Sequence, residues 1–500
     1  MSYNLLNASL TRLRFGLQEA IEALLPALAG YALIVFLAFL ISDMGYPDSI
    51  SLGVVHIASI SGFYIFWRNG RWGRARFDSF GAALILLSLA YRGQALIDLF
   101  FFGTRVDDIY RYPVPMPDDV FLLFLKSESV AFIGTLLVAV TWRLSVADKV
   151  ESYSPLINVK SAGLTLSVLI YPLALVIDLA SRIFGVGFGP LDQFAGTFFI
   201  LGVASIYFIS TQRQAALIKL LVAVLLAIPM VFLALSKGMK SEIFFPLIPA
   251  LIIFFSEYKS KVLRAGFVGF GLITLIISQA YVHHVRGIAW DQEGVTFMPA
   301  PELIGSFLDD LPYMDPLEVI DSTSSRVNMT QSRAITVTLA DHNGAEPGNI
   351  FSPIPATFIP RFLWQNKPVL QPGAEHTARV LNLNVDTTQI RSATAAGFTT
   401  ELYLGGYWWG VIAGSIVFGL LVAFSQRVVL SWMPGFGHLA LCFVAFFWAL
   451  RFSEKHVVYA FTGVVFILVF LVLLGIASKL AGIRSIREVP QQTAPKQVLR

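Results

Sequence analysis

Apolar residues run along this chain in blocks of about twenty, the length an α-helix needs to cross the hydrocarbon core of a bilayer. Twelve such blocks can be placed, centred on Ala32, Ala58, Ser88, Phe132, Tyr171, Phe199, Leu225, Ala250, Ile273, Ser415, Val444 and Ile467. A polar interval of about 120 residues, His283 to Tyr403, separates the ninth from the tenth. The pattern divides the chain into helices one to nine (1–282), a large loop (283–403), helices ten to twelve (404–481) and a tail (482–500). Inside the loop, Leu303, Ile304, Phe307, Leu308 and Leu311 recur at helical spacing and predict a helix over Pro301–Ile320. Arg326–His342 and Pro372–Leu383 are two further helical candidates. Pro353, Pro355, Pro360 and Pro368 predict an extended, turn-rich stretch between those two. The tail after Glu488 reads as disordered.

Composition agrees with the pattern. The chain is 56% hydrophobic and 14% charged, against about 25% charged for an ordinary soluble protein. The expected class is an all-α polytopic membrane protein with about twelve spans and a large, partly helical extracytoplasmic loop. The single cysteine, Cys442, lies in an apolar run, which excludes a disulfide framework or a cysteine metal site. Met1–Glu22 is polar and lacks the pattern of a cleaved signal peptide. A net charge of +4 needs no nucleic-acid partner in a protein of this class.

Basic residues fix the expected orientation. Arg12 and Arg14 precede the first helix, Arg68, Arg71, Arg74 and Arg76 follow the second, and Lys259, Lys261 and Arg264 follow the eighth. The first loop on the alternate side holds Asp43 and Asp48 without Lys or Arg. Lys and Arg collect on the cytoplasmic side, so both termini are expected in the cytoplasm and the large loop outside it.

That outward face gathers cations. Lys237 and Lys240 stand between helices seven and eight, and Arg286 follows helix nine. Arg326 and Arg333, seven residues apart, would share a helix face; Arg361, Lys367, Arg379 and Arg391 follow. Guanidinium groups grip phosphate oxygens in pairs, and lysine supplies a point charge. The alternative is ordinary loop ion pairing, since the loop also holds thirteen Asp and Glu. Glu401, at the expected outer start of helix ten, is placed as a general base or as a cap, and His376 is a second base candidate. Gly406, Gly410 and Gly414 form a small face that lets a helix approach closely. Phe362, Trp364, Trp408 and Trp409 suit sugar stacking or an interfacial belt, the belt being favoured. Arg92, Asp98, Lys126, Glu128, Asp178, Lys219 and Arg451 lie within or beside apolar runs. Such groups need partners in lipid; Lys126 and Glu128 cannot share a face, so Arg92 or Asp98 is the expected partner. No histidine spacing fits a metal site and no P-loop occurs, so neither metal nor cofactor is expected.

Three local patterns resemble the bacterial O-antigen polymerase (Wzy-type) and oligosaccharide repeat-unit polymerase family. They are LSKGMKSEI over Leu235–Ile243, IPRFLWQNKP over Ile359–Pro368, and TELYLGGYWWG over Thr400–Gly410. The resemblance covers roughly residues 230 to 425. It implies a GT-C-like fold in the bacterial inner membrane and metal-independent transfer of a growing glycan between polyprenyl-diphosphate carriers. Its implied partners are lipid-linked glycans, membrane lipid, and flippase and chain-length-regulator proteins. With the chemistry above, it assigns Glu401, Arg361, Arg333 and His376 to catalysis and the other loop-side cations to substrate binding. An O-antigen ligase or a polysaccharide flippase or transporter is the alternative.

Overall fold

The computed structural model describes residues 3–44, 48–69, 80–101, 119–150, 216–235, 261–291, 300–315, 329–359, 372–381, 396–432 and 456–465, with a few single positions between them. The described residues are helical, without a strand. Helices α1 (Tyr3–Asp43), α2 (Asp48–Asn69), α3 (Phe80–Phe101), α4 (Val120–Val150), α5 (Ala216–Leu235) and α6 (Lys261–Asp291) cover six of the twelve expected centres. A seventh centre, Ser415, lies in α12, described below. The centres at Tyr171, Phe199, Ala250, Val444 and Ile467 lie outside the described residues. Among the described residues, four stretches are long and apolar enough to cross a membrane: Ala20–Asp43, Ile50–Asn69, Val120–Ser145 and Phe398–Arg427. The chain is an all-α membrane protein.

α4 is the hub, packed against α1, α2 and α3 and against two later helices. α1 shows how the packing is written in sequence. Ala23, Ala27, Tyr31 and Ala38 are buried, whereas Leu25, Leu33, Phe36 and Leu40 are exposed. Small side chains let helices approach closely, and in a bilayer the large apolar ones meet lipid instead. Tyr31 stacks on Phe132 of α4 at 4.2 Å between ring centroids, and Phe63 of α2 meets the same ring at 4.8 Å. Each such pair contributes about 0.5–1.5 kcal/mol beyond its burial.

α6 runs through His283 and His284 to Asp291, so helix extends past the expected start of the loop. The loop helix α7 (Ala300–Asp310) ends in a 3₁₀ turn, Leu311–Tyr313, and is shorter than its apolar spacing predicts. It rests on α6 through Phe307 and Tyr281, with ring centroids 5.4 Å apart. His284 joins the contact through Ser306 at 3.0 Å and Asp310 at 3.2 Å.

α8 (Thr330–Asn343), α9 (Pro347–Phe351), α10 (Pro353–Phe358) and α11 (Pro372–Val380) follow. The expected extended stretch around Pro353 and Pro355 is instead helical as far as Phe358, because proline in a first turn removes an N–H that would have no intrahelical acceptor. Pro360 and Pro368 lie outside the described residues.

α12 (Phe398–Trp432) is broken at Gly406 and Tyr407; Tyr407 has φ 49°. Phe398 and Phe418 would stand about 30 Å apart along one straight helix, yet their rings are 4.8 Å apart. The arm Phe398–Gly405 therefore folds back along the following helix. A Cβ at Gly410 would collide with the backbone carbonyl of Leu402, and one at Gly414 with the Leu402 side chain. The small face predicted at these glycines is used, but by the same element rather than a separate helix, and Gly406 serves the break. Residues 408–432, about 37 Å of helix, lie beside α4, where Trp142 Nε1 donates to Gln426 at 2.5 Å.

Candidate functional site

α8 is polar in composition, yet Thr330 and Arg333 to Ala340 are buried between α4 and α12. Its threonines make this affordable. Thr336 Oγ1 donates to the Ser332 carbonyl at 2.7 Å and Thr338 Oγ1 to that of Ala334 at 3.1 Å, so the hydroxyls are satisfied within the helix. The carboxy-terminal end is fastened from both sides. Lys126 Nζ of α4 reaches Asp341 at 2.6 Å, and Tyr403 Oη of α12 donates to the other Asp341 oxygen at 3.1 Å.

One turn into α8, Arg333 meets the bundle. Its Nη1 lies 3.7 Å from Glu128, whose other carboxylate oxygen is bound tightly by Arg92 Nε. The Arg92–Glu128 pair is the partner choice expected from the sequence, while Lys126 takes Asp341 instead. Arg92 also donates to the Ser88 carbonyl at 3.2 Å and lies 4.7 Å over the Phe63 ring. Burial lowers the pKa of Arg333 to about 10 and the adjacent Glu128 carboxylate opposes the shift, so the guanidinium is charged at neutral pH. The expected exposed phosphate ligand is thus a buried group, 8% exposed.

A second cluster begins three residues on. Thr336 Oγ1 is 3.0 Å from His376 Nε2 of α11, and the His376 and His456 rings are 6.0 Å apart. His456 Nδ1 is 2.8 Å from Glu401 Oε1, and the Val457 N–H donates to Glu401 Oε2. The sequence places Glu401 at a membrane-surface helix start. Glu401 does stand in the first turn of α12; there it is buried within the protein, 4% exposed, and it caps the helical stretch 457–465. Burial, with His456 and Arg379 adding, lowers the His376 pKa to about 3, so its ring is neutral. A His456 tautomer with Nδ1–H toward Glu401 carries its lone pair on Nε2, the arrangement of a carboxylate-oriented base. Asn349, Glu375, His376, Arg379, Glu401 and Val458 line one small cleft, where Arg379 Nη1 also contacts Glu346 at 3.1 Å.

Arg333, His376, Glu401 and Arg379 thus lie along one seam between loop helices and bundle. Arg361, Lys367, Lys237, Lys240, Arg326 and Arg391 lie outside the described residues, and Arg286 is placed in α6 by its backbone alone. The helix that carries Arg333 begins at Thr330 with Met329 as its N-cap, so the expected shared face with Arg326 lies outside the described residues. Trp409 is 81% exposed. His456 is absent from the sequence reading; its one signal is the polar break Ser453–His456 between apolar runs. Among the described residues no three His, Cys, Asp or Glu side chains are grouped to hold a metal ion. No protein-family profile, no curated protein and no solved structure matches this chain.

Proposed function

We propose that this protein is a membrane-embedded glycan polymerase that extends oligosaccharide units carried on a polyprenyl diphosphate. The observation that supports the reading is that His376, Arg379 and Glu401 line one cleft, with Arg333 three residues along α8 from the Thr336 that contacts His376, since the sequence singles out all four from positions far apart in the chain. In the reaction, an acceptor hydroxyl attacks the anomeric carbon of the donor. The bond to the diphosphate breaks and the diphosphate leaves with the electron pair. The His456–Glu401 pair takes the hydroxyl proton, and guanidinium groups stabilise the charge that develops on the leaving oxygen. Arg379 and Arg333 supply two cations; Arg361, Lys367, Lys237, Lys240, Arg286, Arg326 and Arg391 complete the proposed set. The reading includes twelve spans in a GT-C-like arrangement, cytoplasmic termini, and a loop facing outward from a bacterial inner membrane.

A transporter is the second reading, favoured by one observation: Arg92 and Glu128 form an ion pair inside the bundle, where ionisable groups often line a substrate path. Deleting the gene in its host and resolving glycans by size separates the readings. Single repeat units on the final acceptor are the outcome of a lost polymerase. Polymer accumulating on the lipid carrier would assign a ligase instead, and lipid-linked units trapped in the inner leaflet a transporter.

A further inference from the structure

Four charged or titratable side chains from four helices meet inside the bundle: His56 of α2, Arg92 of α3, Glu128 of α4 and Arg333 of α8. All are at least nine-tenths buried. Among the described residues two guanidinium groups face one carboxylate, so these side chains carry an excess positive charge where uncompensated charge is costly. The two pairings are unequal. Arg92 holds Glu128 tightly, while Arg333 stands off at 3.7 Å. Three buried nitrogens in the cluster have no hydrogen-bond partner among the described residues: Arg92 Nη2, Arg333 Nε and His56 Nδ1. Buried polar groups are nearly always paired, and those that are not ask for an explanation.

Charge and donors point to the same ligand. An anion would balance the excess charge, and the unpartnered nitrogens stand on three helices, α2, α3 and α8. A carboxylate offers two coplanar oxygens, and Glu128 already supplies one such group. A phosphoryl group offers oxygens in three directions, which guanidinium forks grip well. Arg333 is the most exposed of the four at 8%, and it rides on a loop-derived helix, so it would meet an incoming headgroup first.

We propose that His56, Arg92 and Arg333 form an anion site for the phosphoryl oxygens of a diphosphate, with Glu128 as the internal carboxylate that competes with the ligand for both guanidinium groups. The choice of diphosphate rests on the functional reading above; the site itself rests on the charge and donor count. It adds to the seam two residues, His56 and Arg92, from the first 100 positions of the chain.

The test is equilibrium dialysis of the full-length protein in lipid nanodiscs against radiolabelled inorganic pyrophosphate and, separately, farnesyl diphosphate. The wild type is expected to retain at least one of the two. The double variant Arg92→Met with Glu128→Leu removes one charge of each sign, leaving the net charge unchanged, and is expected to bind at least tenfold more weakly. Glu128→Gln removes the competitor and is expected to bind at least threefold more tightly. Retention of farnesyl diphosphate alone would identify a lipid headgroup as the ligand, and equal retention of both the free diphosphate group; each supports the site. No retention of either by the wild type, unchanged binding by the double variant, or no tightening by Glu128→Gln would overturn it. The outcome is separable from the functional reading. Retention of diphosphate by a protein whose deletion leaves polymer length intact would sink the polymerase and keep the site, and the reverse pair of results would do the opposite.

Discussion

Replacing Gly410 by alanine tests the fold-back of α12. In a helix facing open space, Gly→Ala gains about 1 kcal/mol of helix propensity. At Gly410 the added methyl meets the backbone carbonyl of Leu402, which no rotamer change can move aside. Overpacking costs about 1–3 kcal/mol, and a backbone obstacle places this site at the upper end. The net expectation is a loss of about 1–2 kcal/mol. Gly266 of α6 is the control, because a Cβ there has nothing within 4 Å and Gly266→Ala should be neutral or stabilising. The assay is unfolding of the full-length protein in mixed detergent–SDS micelles, followed by tryptophan emission, for which Trp408 and Trp409 directly follow the break. Gly410→Ala should unfold at lower SDS than wild type, and Gly266→Ala at equal or higher SDS. Equal midpoints for Gly410→Ala and wild type would show that Leu402 does not lie against Gly410, and Glu401 would then lose its buried position.

Glu401→Gln keeps an oxygen for the Val457 N–H but weakens the hold on His456; chain extension in reconstituted membranes should fall about 10²–10⁴-fold, and a wild-type rate would remove Glu401 from the chemistry. His376 has a pKa near 3 in the fold against 6.5 in an open chain, so between those values the unfolded chain takes up a proton that the folded one refuses. Stability should therefore fall as pH drops from about 6.5 towards 3, with this group contributing a slope of up to about 1.4 kcal/mol per pH unit; in His376→Gln the midpoint of SDS unfolding should lose that part of its pH dependence. Lys126→Ala opens a pair whose side chains are 36% and 38% exposed, so its cost should stay within about 1 kcal/mol by the same assay, and a larger loss would mean that the Asp341 clamp is better shielded than its exposure implies.

Much of this arrangement is legible in the sequence, for reasons that can be named. Apolar blocks locate α1 to α6 because lipid demands length and hydropathy from each segment independently. The start of α11 at Pro372 and the Arg92–Glu128 pair follow from equally local or simple rules: proline opens helices, and buried charge seeks its opposite. Glu401 is legible as a first-turn residue of a helix, but not its burial against His456. Glycines four apart permit close approach by any helix, and nothing nearby in sequence states that the visitor is Leu402. The burial of α8 was equally hidden, since a helix rich in threonine reads as a solvated one until its hydroxyls turn inward to carbonyls. His456 was missed because its role is defined by Glu401, 55 residues away, and a lone histidine has no spacing to betray it.

The inward-turned threonines of α8 also bear on how the molecule is made. The insertion machinery sorts segments by hydropathy as they emerge, and α8 is too polar to be delivered into the bundle by that route. It can only dock after the loop that carries it has been made. Lys126 is synthesised 215 residues before its partner Asp341, and the other clamp, Tyr403, comes later still. During that interval the α4 face that receives Arg333 stands uncovered, with Glu128 held by Arg92 but not yet met by Arg333. Assembly of this protein therefore has a late, concerted step, in which α8 and the folded-back arm of α12 close over α4 together. A ribosome stalled before Phe398 would leave an inserted but open bundle, a substrate for membrane quality control.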